Sequence, residues 1–265
     1  MEEVSDDQYI GNERNSYFST CKGYKSISDQ IEILYSYWPN LNPAADLLRY
    51  YRVRYQTLQF PKWVKGHLAI IRPGFFSNKY GEELEEILKI LARDRNGKFH
   101  NYCEGQLGPE YLRQLAETKK AFQRLELEQK GNILIISVQS GSHYAGLSAH
   151  CAHRMFVANE FGLGAFIAGI MLITHPERLQ CLDDLSVDCA GDEYALAADG
   201  QFDYVPSFRF DVDGLEFIPH HINYGNDLGY DQFDDDRYEA WSFPDPDDEC
   251  CSSASFFLPP ASPWL

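Results

Sequence analysis

The chain has 265 residues, of which 44% are hydrophobic and 14% aromatic, enough apolar material for a packed core and incompatible with global disorder. Formal net charge is −17, and the excess is confined to the last third: residues 181–265 carry 20 acids against Arg209 and Arg237, while residues 1–180 are close to neutral. Such a field repels nucleic acid and anionic membrane and attracts basic protein surfaces, so neither direct nucleic-acid binding nor membrane association is expected.

Residues 1–25 are polar, lack an apolar period and read as a loose arm. The opening Met1, Glu2, Glu3 is acidic where an export signal is basic and then apolar. The seven cysteines are irregularly spaced, so reduced thiols in a cytoplasmic protein are expected. From Ser26 the pattern becomes helical. Ile27, Ile31 and Leu34 recur on one face, with Ser28 or Asp29 as N-cap, and Pro39 stops the helix. Pro43 suits the first turn of a second helix over 44–58, whose apolar positions are Leu47, Leu48, Tyr51 and Tyr55. Residues 63–71 read as a strand, followed by a turn at Pro73–Gly74.

Residues 82–93 form the clearest helical stripe, with Leu84, Ile87, Leu88 and Leu91 on one side, early acids suited to the dipole and Gly97 past the end. Pro109 is expected to open a further helix running to Lys130. Residues 132–138 (NILIISV) are apolar and β-branched, the composition of a buried strand. The apolar run 161–173 is too short to span a bilayer, which takes about 20 residues, and reads as a core helix over 160–174 capped by Asn159. Its glycines, Gly162, Gly164 and Gly169, suit close packing against a neighbour. Residues 185–222 change to period two, with Asp199–Gly200 and Asp213–Gly214 as hairpin signals. Residues 225–250 then read as an acidic loop studded with Tyr230, Phe233, Tyr238, Trp241 and Phe243.

The fold class is therefore α+β, with a helical N-terminal half, a central buried strand and core helix, and a C-terminal antiparallel β-meander with an acidic loop. The organisation is a polar arm (1–25), a single α+β domain (26–225) and an acidic, aromatic-rich C-terminal segment (226–265).

Four weak constellations carry chemistry. Gly141-Ser-His-Tyr-Ala-Gly146 after the central strand has the outline of a phosphate loop, but Leu147 and Ser148 stand where its lysine and hydroxyl residue belong. His100 and Cys103, with His150 and His153, have the spacing of two zinc-ligand pairs, although a long helix separates the pairs. His143, His150, Cys151 and His153 crowd the end of the central strand and are candidate catalytic residues, without a G-x-S-x-G elbow. Asp211-Val-Asp213-Gly214 and Asp183–Asp184 are fragments of a calcium loop that lack its terminal Glu. No cofactor is required by any of these; zinc and calcium are the metals the fragments would suit.

The segments NEFGLGAFIAGIMLITHPERL (159–179), DDLSVDCAGDEYALAADGQFDYVP (183–206) and NYCEGQLGPEYLRQ (101–114) resemble a group of bacterial proteins encoded on integrative, conjugative and related mobile elements. The resemblance covers about a quarter of the chain, with no activity and no catalytic residues attached to it. It implies a bacterial cytoplasmic setting. Around Ser142–Arg154 that group is rich in arginine, where this chain is rich in His and Ala, so no basic function is implied there.

Two function classes follow. The first is an acidic interaction protein that docks on a basic, nucleic-acid-binding protein surface. Asp234, Asp235, Asp236, Asp245, Asp247, Asp248 and Glu249 would supply the charge, with Tyr238 and Trp241 as anchors. The alternative is a hydrolase or metal-dependent enzyme built on the His/Cys cluster, with carboxylates of the meander orienting it.

Overall fold

The computed structural model describes residues 23–43, 46–182, 184–222 and 252–259. Helix α1 (Ile27–Tyr37) is capped by Ser26, whose Oγ accepts from the Asp29 N–H at 3.1 Å. The cap thus stands before the first apolar position, ahead of the expected Ser28 or Asp29. Helix α2 (Leu47–Thr57) and strand β1 (Gly66–Ile71) follow where the pattern placed them. Helix α3 (Tyr80–Asp94) buries Leu84, Ile87, Leu88 and Leu91, and Gly97 takes the left-handed φ of 81° beyond it.

The next stretch departs from expectation. In place of one helix from Pro109 there are two short strands, β2 (Phe99–Asn101) and β3 (Leu112–Gln114), and then α4 (Ala116–Glu128). Pro109 lies in a turn closed by Tyr111 N–H to Gly108 C=O, and Leu112 pairs with Tyr194 of the meander. Tertiary pairing overrides helical propensity here. Strand β4 (Ile133–Gln139) is buried along its whole length, as its composition demands. A 3-10 turn (Ser142–Tyr144), α5 (Ala149–Met155) and β5 (Glu160–Gly162) lead to the core helix α6 (Ala165–Thr174). Asn159 does not cap that helix. It sits at φ 66° ahead of β5, and the helix starts five residues later than expected, after Gly164.

The meander comprises β6 (Val187–Asp188), β7 (Asp192–Tyr194), β8 (Tyr204–Asp211) and β9 (Gly214–His221), with Asp213–Gly214 in the β8–β9 turn. Its sheet is mixed, because β2 adds to β9 in parallel; the order is β2-β9-β8-β7-β3, with β6 on β8. The other sheet has the order β1-β4-β10-β5 and is antiparallel throughout. Its third member, β10 (Ser255–Phe257), comes from the segment read as acidic and aromatic-rich. Residues 252–259 carry no charge and are all buried.

Helix α6 contacts α3, α1, β1 and β8, so it lies between the two sheets, and every one of its residues is buried. Gly169 is what allows the approach to α3: a Cβ there would collide with Ile87 Cγ2. The expected role of that glycine therefore stands. Among the described residues no helix is long and apolar enough to cross a membrane.

Candidate functional site: a buried carboxylate–histidine pair

Strands β8 and β9 alternate, and the alternation splits their chemistry. Phe208 faces Phe217, and Val187 faces Phe208; this side turns to α6, where Phe208 lies beside Gly169. The opposite side carries Arg209 against Glu216, Ser207 against Ile218, Val205 against His220, and Asp188 against Ser207. A polar face normally meets solvent. Here its end is covered: Asp188 is 0% exposed, Val205 1% and Ser207 2%.

A charge taken out of water needs a partner. For Asp188 it is His220, whose Nδ1 lies 3.0 Å from Asp188 Oδ1. Backbone bonds hold Asp188 in place. Its N–H donates to Ser252 C=O and its C=O accepts from Ala190 and Ala254. Its other carboxylate oxygen, Oδ2, is buried without a hydrogen-bond partner, as is Oγ of Ser253, the residue bridged to Asp188 in parallel.

Helix α5, with the sequence-derived candidates, is tied to this region. The His150 N–H donates to Ile222 C=O at 2.9 Å, two residues beyond His220, and His153 Nε2 bonds to Ala190 C=O, two residues beyond Asp188. Burial holds the His153 imidazole below its ordinary pKa. Ser148 caps α5 through Cys151 N–H at 3.2 Å, and the Cys151 side chain is half-buried. His143 stands apart, stacked on Trp63 at 5.9 Å; its pKa is lowered by partial burial and then by Lys65. The structure thus attaches α5 to the meander, but the histidine held by a meander carboxylate is His220, which no motif singled out. Only its place at the end of a period-two strand carried a signal.

The other constellations separate. His100 lies in β2 and Cys103 just after it, far along the chain from α5, and burial pushes the Cys103 thiol up to about 12. Among the described residues no group of three or more His, Cys, Asp or Glu side chains is placed to hold a metal ion. The four zinc candidates His100, Cys103, His150 and His153 therefore do not converge. Asp211 Oδ1 accepts from Val212 N–H within the hairpin turn, and Asp184 Oδ2 accepts from Gln180 and Cys181 N–H, so these two carboxylates serve local turns, while Asp183 lies outside the described residues. In the Gly141–Gly146 loop, the N–H groups of Gly141 and His143 are already taken by Gln139 Oε1, at 2.7 and 3.3 Å. A phosphate would have to displace that side chain.

A second buried carboxylate, Asp192, caps α6. Its Oδ2 accepts from Ala165 N–H at 2.6 Å, and Tyr80 OH lies 2.9 and 2.7 Å from its two oxygens. Burial pushes its pKa up to about 7. The proposed docking residues Asp234, Asp235, Asp236, Tyr238, Trp241, Asp245, Asp247, Asp248 and Glu249 lie outside the described residues. No family model, no curated protein and no solved structure matches this chain.

Proposed function

We propose that the chain is an acidic interaction protein of a bacterial mobile element, acting in the cytoplasm, that docks on a basic protein surface of the kind that holds nucleic acid. The observation that supports this reading is how the acids of the last third divide. Those of the meander are largely engaged within the fold. Asp188 and Asp192 are buried, Glu193 pairs with Arg113 at 2.6 Å, and Glu216 pairs with Arg209 at 2.7 Å. Residues 227–249 hold ten further acids against Arg237 alone, interleaved with aromatics. Spaced carboxylates present a phosphate-like field, and aromatics add the contact energy that charge alone lacks.

The test is a pull-down from bacterial lysate at low and high salt. It compares the intact chain with one in which Asp234, Asp235, Asp236, Asp245, Asp247, Asp248 and Glu249 are replaced by Asn or Gln. Exposed charges are screened beyond about 8 Å at physiological ionic strength. A basic partner should therefore be retained at low salt, released at high salt or by added DNA, and retained at least tenfold less by the variant. Capture indifferent to those seven charges rejects the reading.

The alternative, a hydrolase or metal-dependent enzyme using the His/Cys cluster, is favoured by the bonding of α5 to the strand end that carries His220. Metal analysis of the purified chain separates its two forms. Stoichiometric zinc supports the metal-dependent one, and its absence leaves the metal-free one.

A further inference from the structure

We propose that the outer face of α2 and the loop leading into β1 form a basic docking surface, and that its occupant is the acidic last third of a second copy of this chain. The inference concerns a face that the docking reading does not use, and it needs no outside partner.

Residues 47–81 hold seven bases and no acid. Three of the bases meet carboxylates from outside the stretch: Arg54 pairs with Glu128 at 3.0 Å, Arg72 with Glu126 at 3.4 Å and Lys79 with Glu82 at 2.7 Å. The other four, Arg49, Arg52, Lys62 and Lys65, are exposed, and among the described residues none of them lies in an ion pair.

The fold brings these four to one side of the antiparallel sheet. Arg49 and Arg52 stand about one turn apart on α2. The inner face of that helix packs through Tyr51 and Tyr55 on the His67 ring of β1, at 5.5 and 5.2 Å. Phe60 stacks on Tyr55 at 5.7 Å and meets His67 at 5.2 Å, so the connecting loop, which carries Lys62, folds back along the helix. Lys65 extends the β1 ladder through its N–H to Val138 C=O, and strand alternation puts its side chain on the same side as His67. Leu48, 37% exposed beside Arg49, adds an apolar contact among the charges.

The complement to this positive face is carried by the chain itself. Residues 181–265 hold 20 acids and two bases, a net of −18. The exposed acids that the fold fixes in this third belong to the other sheet: Asp213 lies in the β8–β9 turn and Asp199 ahead of β8. Helix α6 lies between the two sheets, so these acids meet the four bases across a contact between copies. A nucleic acid would find the same bases but would be repelled by the acidic third, whereas a second copy offers opposite charge. The two patches differ, so the contact is head-to-tail: the basic face of one copy takes the acids of the next. Where the docking reading holds, acids occupied in this way are withdrawn from an outside basic partner.

The experiment is sedimentation velocity of the full chain over a range of concentrations, at low and high salt. The average mass should rise with concentration at low salt and return to that of the monomer at high salt, because exposed charges are screened. A variant carrying Arg49→Glu, Arg52→Glu, Lys62→Glu and Lys65→Glu should stay monomeric; the four positions are exposed, and its unfolding transition checks that it folds. The variant with Asn or Gln at the seven carboxylates 234–236, 245 and 247–249 should associate at least tenfold more weakly than the intact chain. An equimolar mixture of the two variants decides the pairing. One keeps the intact acidic third and the other the intact basic face, so the mixture should form a pair that stops at two copies. An intact chain that is monomeric at low salt, a base-reversed variant that still associates, or a mixture that forms no pair overturns the proposal. A shift of labelled single-stranded DNA by the intact chain, lost in the base-reversed variant, overturns the occupant. Failure here is distinct from failure of the docking reading, whose capture from lysate does not need the four bases.

Discussion

Three buried glutamines do the work of missing backbone. Gln30 accepts from Ala69 N–H and donates to His67 C=O, closing the outer edge of β1. Gln129 accepts from Ile135 N–H at 2.7 Å and donates to its C=O at 2.8 Å, where β10 does not reach. Gln139 bridges Ser253 C=O and the N–H groups of the following turn. A primary amide carries both a donor and an acceptor, so it can stand in for one residue of a strand. Replacing Gln129 by Leu leaves the Ile135 N–H unpaired, while Tyr55 OH still donates to the carbonyl. A loss of about 1–3 kcal/mol is expected, measured by denaturant unfolding.

Titrating groups at the same scale pull in opposite directions. The Asp192 pKa, about 7 in the fold, lies well above the ordinary carboxyl value of about 3.9. The folded chain therefore holds a proton that the unfolded chain releases, and this contribution to stability is lost as pH rises from about 4 to about 7. His67, in a cage of Tyr51, Tyr55 and Phe60, is pushed down to about 4 by burial. Its contribution is full above the ordinary histidine value of about 6.5 and is lost as pH falls toward 4. Unfolding midpoints across pH 4–8 should therefore tilt in opposite senses in Asp192→Asn and His67→Gln. Parallel profiles would contradict both assignments.

At the scale of elements, strong local periodicity was enough to find α1, α2, α3, β1, β4 and the β8–β9 hairpin. Residues 109–115 were misread because nothing local distinguishes the first turn of a helix from a strand that pairs with Tyr194. The start of α6 was misread because its cap comes from Asp192, on another strand, so no residue just ahead of it carries the signal. The candidate site was hidden for the same reason. Asp188 and His220 meet across β8, a relation set by register and invisible to spacing. Where Gly169 of α6 did signal packing, the signal is testable. Gly169→Ala forces a methyl against Ile87 and should cost about 1–3 kcal/mol in thermal or chemical unfolding. The cost should shrink in an Ile87→Ala background; equal costs in both would show that the clash lies elsewhere.

Across the whole molecule, the described part is one packed core. A single hydrophobic cluster runs from Ile27 to Leu258, and the neutral residues 252–259 belong to it although they follow the acidic stretch. Removing everything from Ser252 onward would strip β4 and β5 of their shared partner and expose two strand edges. Such a chain should lose cooperative unfolding and aggregate, observable by scattering and far-ultraviolet dichroism. A sharp, reversible transition in the truncated chain would show that β10 is dispensable.

The position of β10 also sets a clock. A chain emerging from the ribosome presents β4 long before the strand that completes its sheet, because everything between Gln139 and Ser255 has still to be made. At 5–20 residues per second, that interval is on the order of ten seconds. Through it, one edge of a mostly apolar strand awaits a distant partner, the circumstance in which nascent chains stick to one another. Gln129 is made before β4 and needs no later sequence to reach Ile135. The side chain that patches the finished sheet is thus also the first guard of its open edge.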